Sequence, residues 1–165
     1  EDRYWQIVEK WKVDIFYTAP TSIRIIRKSG DGWVKKHDLS SLKMLGSAGE
    51  PIDPEVWKWY YNVVGGGRCP IADTWWQTET GTVTITPMTG AFDLKPGSAM
   101  KPMPGIELAV YSEAKEKCPT GESGNLYIEK PFPSLARTIW NDHEKYVETY
   151  WATFPDTISR ATAQG

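Results

Sequence analysis

The chain has 165 residues, which suits one ordinary domain or a piece of a larger one, and its 40% hydrophobic content is enough for a core. Its 19 Lys and Arg against 21 Asp and Glu give a net charge of −2 with no basic run, which argues against binding driven by nucleic-acid phosphates. Cys69 and Cys118 stand far apart and show no zinc spacing with His37 and His143, no apolar run approaches a membrane span, and the charged start Glu1-Asp2-Arg3 is unlike a signal peptide. The expectation is a cytoplasmic protein with neither nucleic-acid nor membrane partner. A start other than Met suggests an internal fragment.

Residues 3–12 are predicted to form a helix capped by Asp2, with Tyr4, Ile7, Val8 and Trp11 on its apolar face. A short strand over 13–17 follows, rich in branched and aromatic residues. Pro20 opens a second helix, with Ile23, Ile25 and Ile26 inward and Gly30 as its stop. Residues 31–41 read as a polar loop, and 42–48 as a strand running into small residues. Asp53 then caps a helix with Pro54 at its first position and an apolar stripe of Val56, Trp57, Tyr60 and Val63, ended by Gly65-Gly66-Gly67. Ile71-Ala72 leads into the segment 73–81. This alternation of helix and strand predicts a mostly parallel sheet covered by helices, with ligands at the carboxyl ends of its strands.

In the second half the pattern changes, with a boundary near 88–98. Thr82–Pro87 is extended, 106–111 and 125–129 are strands, and 141–151 is a final helix capped by Asn141 or Asp142. The fold class expected is therefore α/β: a partial, helix-covered, mostly parallel sheet over 1–88, then an antiparallel, barrel-like β portion over 89–151, and a tail from 152.

Two segments have the composition of a ligand site. Small residues in Gly46-Ser47-Ala48-Gly49-Glu50-Pro51 allow a flat ligand close to the backbone, though the same residues also suit a turn into the Asp53 cap. Thr78-Glu79-Thr80-Gly81 offers hydroxyls and N–H groups to phosphate oxygens and a carboxylate to Mg²⁺, or equally a solvated turn. Trp75-Trp76 stands out among nine tryptophans. On a strand one indole would face the core and one a cleft, but as bare composition both are expected in the core. His37 and His143 lie in polar stretches and are expected to be solvent-exposed. The usual dinucleotide loop, the phosphate loop with Lys and the serine nucleophile elbow are absent.

Together with Tyr17-Thr18-Ala19-Pro20-Thr21 and Pro96-Gly97-Ser98-Ala99, these segments occur in an order and spacing that resemble the acetyl-CoA synthetases of the adenylate-forming superfamily, with Asp73–Gly81 the most specific. The resemblance runs from about residue 1 to 155. It implies a fragment of an acetate–CoA ligase: acetate and ATP give acetyl-AMP, and coenzyme A then displaces AMP. It places Gly49, Glu50 and Pro51 at the adenine, and Asp73, Thr74, Trp75, Trp76, Gln77 and Thr78 around the nucleotide with Thr78 near the α-phosphate. Glu79 falls on Mg²⁺, and Ala48 and Trp76 on the acyl pocket. Ala48 stands where many members have valine, so a propionyl-CoA synthetase is the alternative, and a non-catalytic nucleotide-binding remnant a third reading.

The family's phosphate loop, its lid lysine and most of its coenzyme A site have no counterpart here, so no complete catalytic set is expected and the isolated chain should be inactive. Apolar surface and a sheet edge meant for other segments should leave it poorly soluble or partly unfolded. The family pattern stops after Phe154-Pro155. One permitted coding of Thr157–Gly165, ACT ATT TCA CGG GCG ACG GCG CAA GG, becomes Tyr-Phe-Thr-Gly-Asp-Gly-Ala-Arg when read from its third base. That is the family's continuation, so the tail is expected to be out of frame from about 157 and to have no folding role.

Overall fold

In a computed structural model, which describes residues 2–152 and 159–160, the chain divides into two compact units that interleave in sequence. The first takes residues up to Trp75 and then Ile85–Lys101; the second takes Trp76–Thr84 and the described residues from Pro102 onward.

The first unit begins with helix α1 (Arg3–Trp11) and strand β1 (Ile15–Thr18). Helices α2 (Pro20–Ser29) and α3 (Asp31–Lys35) follow, then β2 (Met44–Ser47), α4 (Pro54–Trp59) and β3 (Ile71–Asp73). The three strands pair in parallel in the order β1-β2-β3, as expected of helical crossovers. Leu45 sits in register with Phe16 and Ile71 and is fully buried. Trp5 and Phe16 meet edge-on at 5.5 Å, and Phe16 and Tyr60 at 6.2 Å.

Several local expectations change. The buried positions of α1 are Trp5 and Val8, whereas Tyr4, Ile7 and Trp11 are exposed, Trp11 by 69%. Both stripes have helical spacing, and Phe16 meets the rings of Tyr4 and Trp5 alike, at 5.7 and 5.5 Å, but only Trp5 is fully enclosed. Asp2 makes no capping hydrogen bond; its carboxylate accepts from Gln6 Nε2 at 3.0 Å and faces His37. Ile25 of α2 is exposed while Ile23 and Ile26 are buried. The expected polar loop contains α3, which starts at Asp31. Asp53 caps α4 as expected, accepting from Glu55 N at 2.8 Å and Val56 N at 3.2 Å. That helix continues as a π turn over Tyr60–Val64, and Tyr60 donates its hydroxyl toward Phe16 O at 3.0 Å and Gly46 O at 3.3 Å. Burial pushes the Tyr60 hydroxyl well above its ordinary range.

His37 also departs from expectation. Its ring is largely buried, with Nδ1 2.7 Å from Glu9 Oε2 and Nε2 3.4 Å from Asp2 Oδ2. Two carboxylates can only accept, so both ring nitrogens carry protons in this arrangement. The Glu9 bond is the main cause of a raised imidazole pKa. His143 is exposed, as expected.

In the second unit β4 (Leu108–Tyr111) and β5 (Asn125–Ile128) pair antiparallel, Ala109 opposite Tyr127. Helix α5 (His143–Tyr150) is capped by Asp142, which accepts from Lys145 N at 3.1 Å. Strand β6 (Ser159–Arg160) adds to β5. Three strands are too few to close a barrel, so the described antiparallel portion is a small sheet. Ser159 and Arg160, the described part of the tail expected to have no folding role, thus pair with β5. A free strand edge offers N–H and C=O groups to any extended backbone, whatever its sequence. Ile158 lies outside the described residues. No helix among the described residues is long and apolar enough to cross a membrane.

Candidate functional site

In the first unit Thr18, Ser47 and Asp73 form one row across the carboxyl ends of the three strands. Parallel register puts their side chains on a common face. Two members of this row lack partners. Ser47 Oγ is buried without a hydrogen bond, and the Asp73 carboxyl, 6% exposed, has no hydrogen-bond partner among the described residues. Burial alone pushes Asp73 up to about 6.

Tyr17 lies on the opposite face. Its ring crosses Gly46, where an added Cβ would stand 2.0 Å from Tyr17 Cδ2. Its hydroxyl then reaches Thr74 Oγ1 at 2.5 Å. Thr74 uses its own hydrogen on Ser47 O at 2.9 Å, so Tyr17 is the donor. One side chain thus ties the exits of β1 and β3 across β2.

The exit of β2 is organised by Glu50. Helix α2 begins after Ala19, which has no side chain to cap it. Glu50 supplies the cap from 29 residues away: Oε1 accepts from Thr21 N at 2.7 Å and from the Thr21 hydroxyl. Oε2 lies 3.1 Å from Arg24 Nη2. The Thr21 hydroxyl first, then Arg24, holds Glu50 below the ordinary carboxylate range. The carboxylate is therefore committed to α2, and the exposed parts of the segment are Gly49, at φ +95°, and the Pro51 ring. Ala48 is buried.

We expect Glu50→Ala to lower stability in urea unfolding by about 1 kcal/mol, the ordinary worth of an N-cap. A depressed carboxylate contributes above its unfolded pKa, and the contribution is lost as pH falls through the folded value. The variant's deficit should therefore shrink in acid. An equal deficit at all pH values would contradict the capping role.

Trp75 and Trp76 are not both in the core. Trp75 is half-buried and bridges Ile85, with N–H···O distances of 2.8 and 3.1 Å. Trp76, in the second unit, is 45% exposed. Alternation along the chain at this point sends neighbouring indoles to different surroundings.

Also in the second unit, Gln77 is half-buried, Thr78 is exposed, and Thr78–Thr80 form a 3₁₀ turn. The buried Thr80 hydroxyl accepts from Gln77 N at 3.0 Å. Residues 134–136 hold this turn. Ala136 N donates to Glu79 O at 2.7 Å, and Ser134 Oγ donates to Thr80 O at 2.7 Å. Gly81 has φ +64°, and a Cβ there would stand 2.5 Å from Ser134 O. Only glycine meets both conditions. The Glu79 carboxylate accepts from the Tyr150 hydroxyl of α5.

No group of three or more His, Cys, Asp or Glu among the described residues could hold a metal ion. A single carboxylate does suit Mg²⁺, which takes most of its ligands from phosphates and water. The partners Thr21, Arg24, Tyr17 and Tyr150 were not foreseen from sequence. Ala19, a poor cap before a Pro-led helix, was the one local sign that a cap must come from elsewhere.

Residues 1–140 match the family model described as AMP-binding enzyme. The chain belongs to the AMP-binding enzyme family. It is similar to acetyl-coenzyme A synthetases of Laribacter hongkongensis, 56% identical over 157 residues, and Chromobacterium violaceum, 55% identical over 154 residues. These matches cover 95% and 93% of this chain but 24% and 23% of the relatives, so the chain spans about a quarter of their length. Among solved structures it resembles the anthranilate CoA ligase AuaEII, crystallised with anthranoyl-AMP. The TM-score is 0.80 and the identity 28%, over 96% of this chain and 28% of that one. The mixed parallel and antiparallel architecture is thus that of an adenylate-forming AMP-binding enzyme.

Proposed function

We propose that this chain is a segment of an AMP-forming acetate–CoA ligase, which joins acetate to AMP at the expense of ATP and passes the acetyl group to coenzyme A. The observation that carries the reading is identity above one half to acetyl-CoA synthetases across more than nine-tenths of the chain. In this reading Gly49 and Pro51 present an exposed surface to the adenine, and Glu50 sets their position through α2. Asp73, Thr74, Trp75, Trp76, Gln77 and Thr78 surround the nucleotide, with the exposed Thr78 hydroxyl toward the α-phosphate. Glu79 would hold Mg²⁺, which supplies charge neutralisation at the phosphates when bound. Trp76 walls the acyl pocket and Ala48 lines it.

The small Ala48 side chain favours a second reading, a ligase that also accepts propionate. A methylene is worth about 1–3 kcal/mol through favourable contacts, so this one position can move the preference by one to two orders of magnitude.

The test is a chimaera in which this segment replaces its counterpart in the Laribacter hongkongensis synthetase. Acetate-dependent formation of AMP and acetyl-CoA supports the proposal. A preference for propionate supports the second reading. AMP binding without adenylation would replace both with a nucleotide-binding role.

A further inference from the structure

We propose that Tyr150 is a positioning residue for Glu79, fixing which carboxylate oxygen is offered to the cation; this rests on the reading of Glu79 as a Mg²⁺ ligand. Tyr150 is buried at the end of α5, 71 residues from Glu79, and its hydroxyl donates to Glu79 Oε1. No other hydrogen bond reaches that carboxylate among the described residues, so Oε2 is left free.

The surroundings favour a fixed geometry. The Glu79 backbone is held by Ala136 N at 2.7 Å, and Ala136 O accepts from the Tyr146 hydroxyl. Tyr146 packs on Tyr150 with ring centroids 5.5 Å apart. Main chain and side chain of Glu79 are therefore both anchored, directly or through residue 136, to the same face of α5.

A glutamate has three side-chain torsions, and an unanchored one spends most of its time pointing elsewhere. A neutral O–H donor fixes the carboxylate without neutralising it. A cationic partner would compete with Mg²⁺ for the same charge. The long distance in sequence also gives α5 a functional role: it brings Tyr150 to a turn whose own residues do not orient the glutamate.

The experiment uses the chimaera with Glu79→Gln, Tyr150→Phe and the double substitution. It reads the Mg²⁺ concentration for half-maximal adenylation, and Mn²⁺ binding by electron paramagnetic resonance in the presence of ATP without acetate. Phe keeps the ring and its packing, and a thermal melt reports folding. Tyr150→Phe should raise the metal requirement and weaken Mn²⁺ binding about 10-fold, with kcat recovered at saturating Mg²⁺. It should have no further effect when Glu79 is already Gln.

If Glu79→Gln leaves metal binding unchanged, or the unsubstituted chimaera is inactive, the underlying reading falls and this inference with it. If Glu79→Gln weakens metal binding but Tyr150→Phe does not, the inference alone is wrong. A Tyr150→Phe effect that persists undiminished in the double variant, or that follows a lowered melt with no change in Mn²⁺ affinity, would make Tyr150 merely structural.

Discussion

Replacing Trp76 by glycine in the chimaera should move its preference from acetate toward four- and five-carbon acids, changing the ratio of kcat/KM by more than about 10²-fold. The basis is steric exclusion. A pocket that gains from a methylene wins only about 1–3 kcal/mol, whereas a wall that a longer chain must displace can reject it far more strongly. Trp76 is suited to such a wall because it is not part of the packed interior: 45% of it is exposed. Its removal should cost the fold little beyond the roughly 0.5–1 kcal/mol of added backbone freedom at glycine. Specificity and stability can then be measured separately, by kcat/KM across an acyl series and by thermal melts. An unchanged chain-length profile in a well-folded variant would remove Trp76 from the acyl pocket.

Asp73→Asn should stabilise the chain by about 3 kcal/mol above pH 6, and the gain should vanish below about pH 4. Asp73 is buried, has no hydrogen-bond partner among the described residues, and is pushed from 3.8 to about 6 by burial. The folded state therefore holds the proton more tightly than the unfolded chain. The contribution of Asp73 is therefore most favourable in acid, falls as pH rises from about 4 to about 6, and is flat above; about two pH units correspond to about 3 kcal/mol. Asparagine has nearly the same shape and no charge to desolvate. His37 slopes the same way, since its raised imidazole pKa stabilises at low pH and the contribution is lost as pH rises through the folded value. The informative quantity is thus the difference between variant and parent across pH, from urea titrations. A variant less stable than its parent at pH 7 would show that the carboxylate has a favourable partner and that its burial is not a cost. A buried acid kept at such a cost, at the carboxyl end of a strand in an AMP-binding enzyme, fits a group retained for a ligand.

What was legible in the sequence was what is decided locally. Asp53 caps α4 because its partners, Glu55 and Val56, are two and three residues away. Pro20 at the start of α2 and the alternation that yields the parallel sheet are local in the same sense. Asp2 failed as a cap because its carboxylate is turned toward Gln6 and toward a histidine 35 residues on. On α1 two overlapping stripes have helical spacing, and which of them is enclosed is decided by packing against segments distant in sequence, with Phe16 touching both Tyr4 and Trp5. At the candidate site, motif resemblance points to Glu50 and Glu79 as candidates. Neither Thr21 and Arg24 nor Tyr150 carries a nearby signal of what it touches. Candidate residues can thus be named from sequence, but not their orientation, which depends on contacts between segments far apart in the chain.

The crossing of Gly46 by the Tyr17 ring couples two positions in any variation this segment can tolerate. An aromatic residue at 17 obliges glycine at 46, and a methyl group at 46 obliges something much smaller at 17. The smaller residue would withdraw the hydroxyl donated to Thr74, 57 residues away from position 17. A substitution at the centre of the sheet would thus be felt first not in the core but at the rim, as a threonine that keeps its bond to Ser47 O but loses the hydroxyl donated to it. Drift at this pair would have to pass through both positions at once.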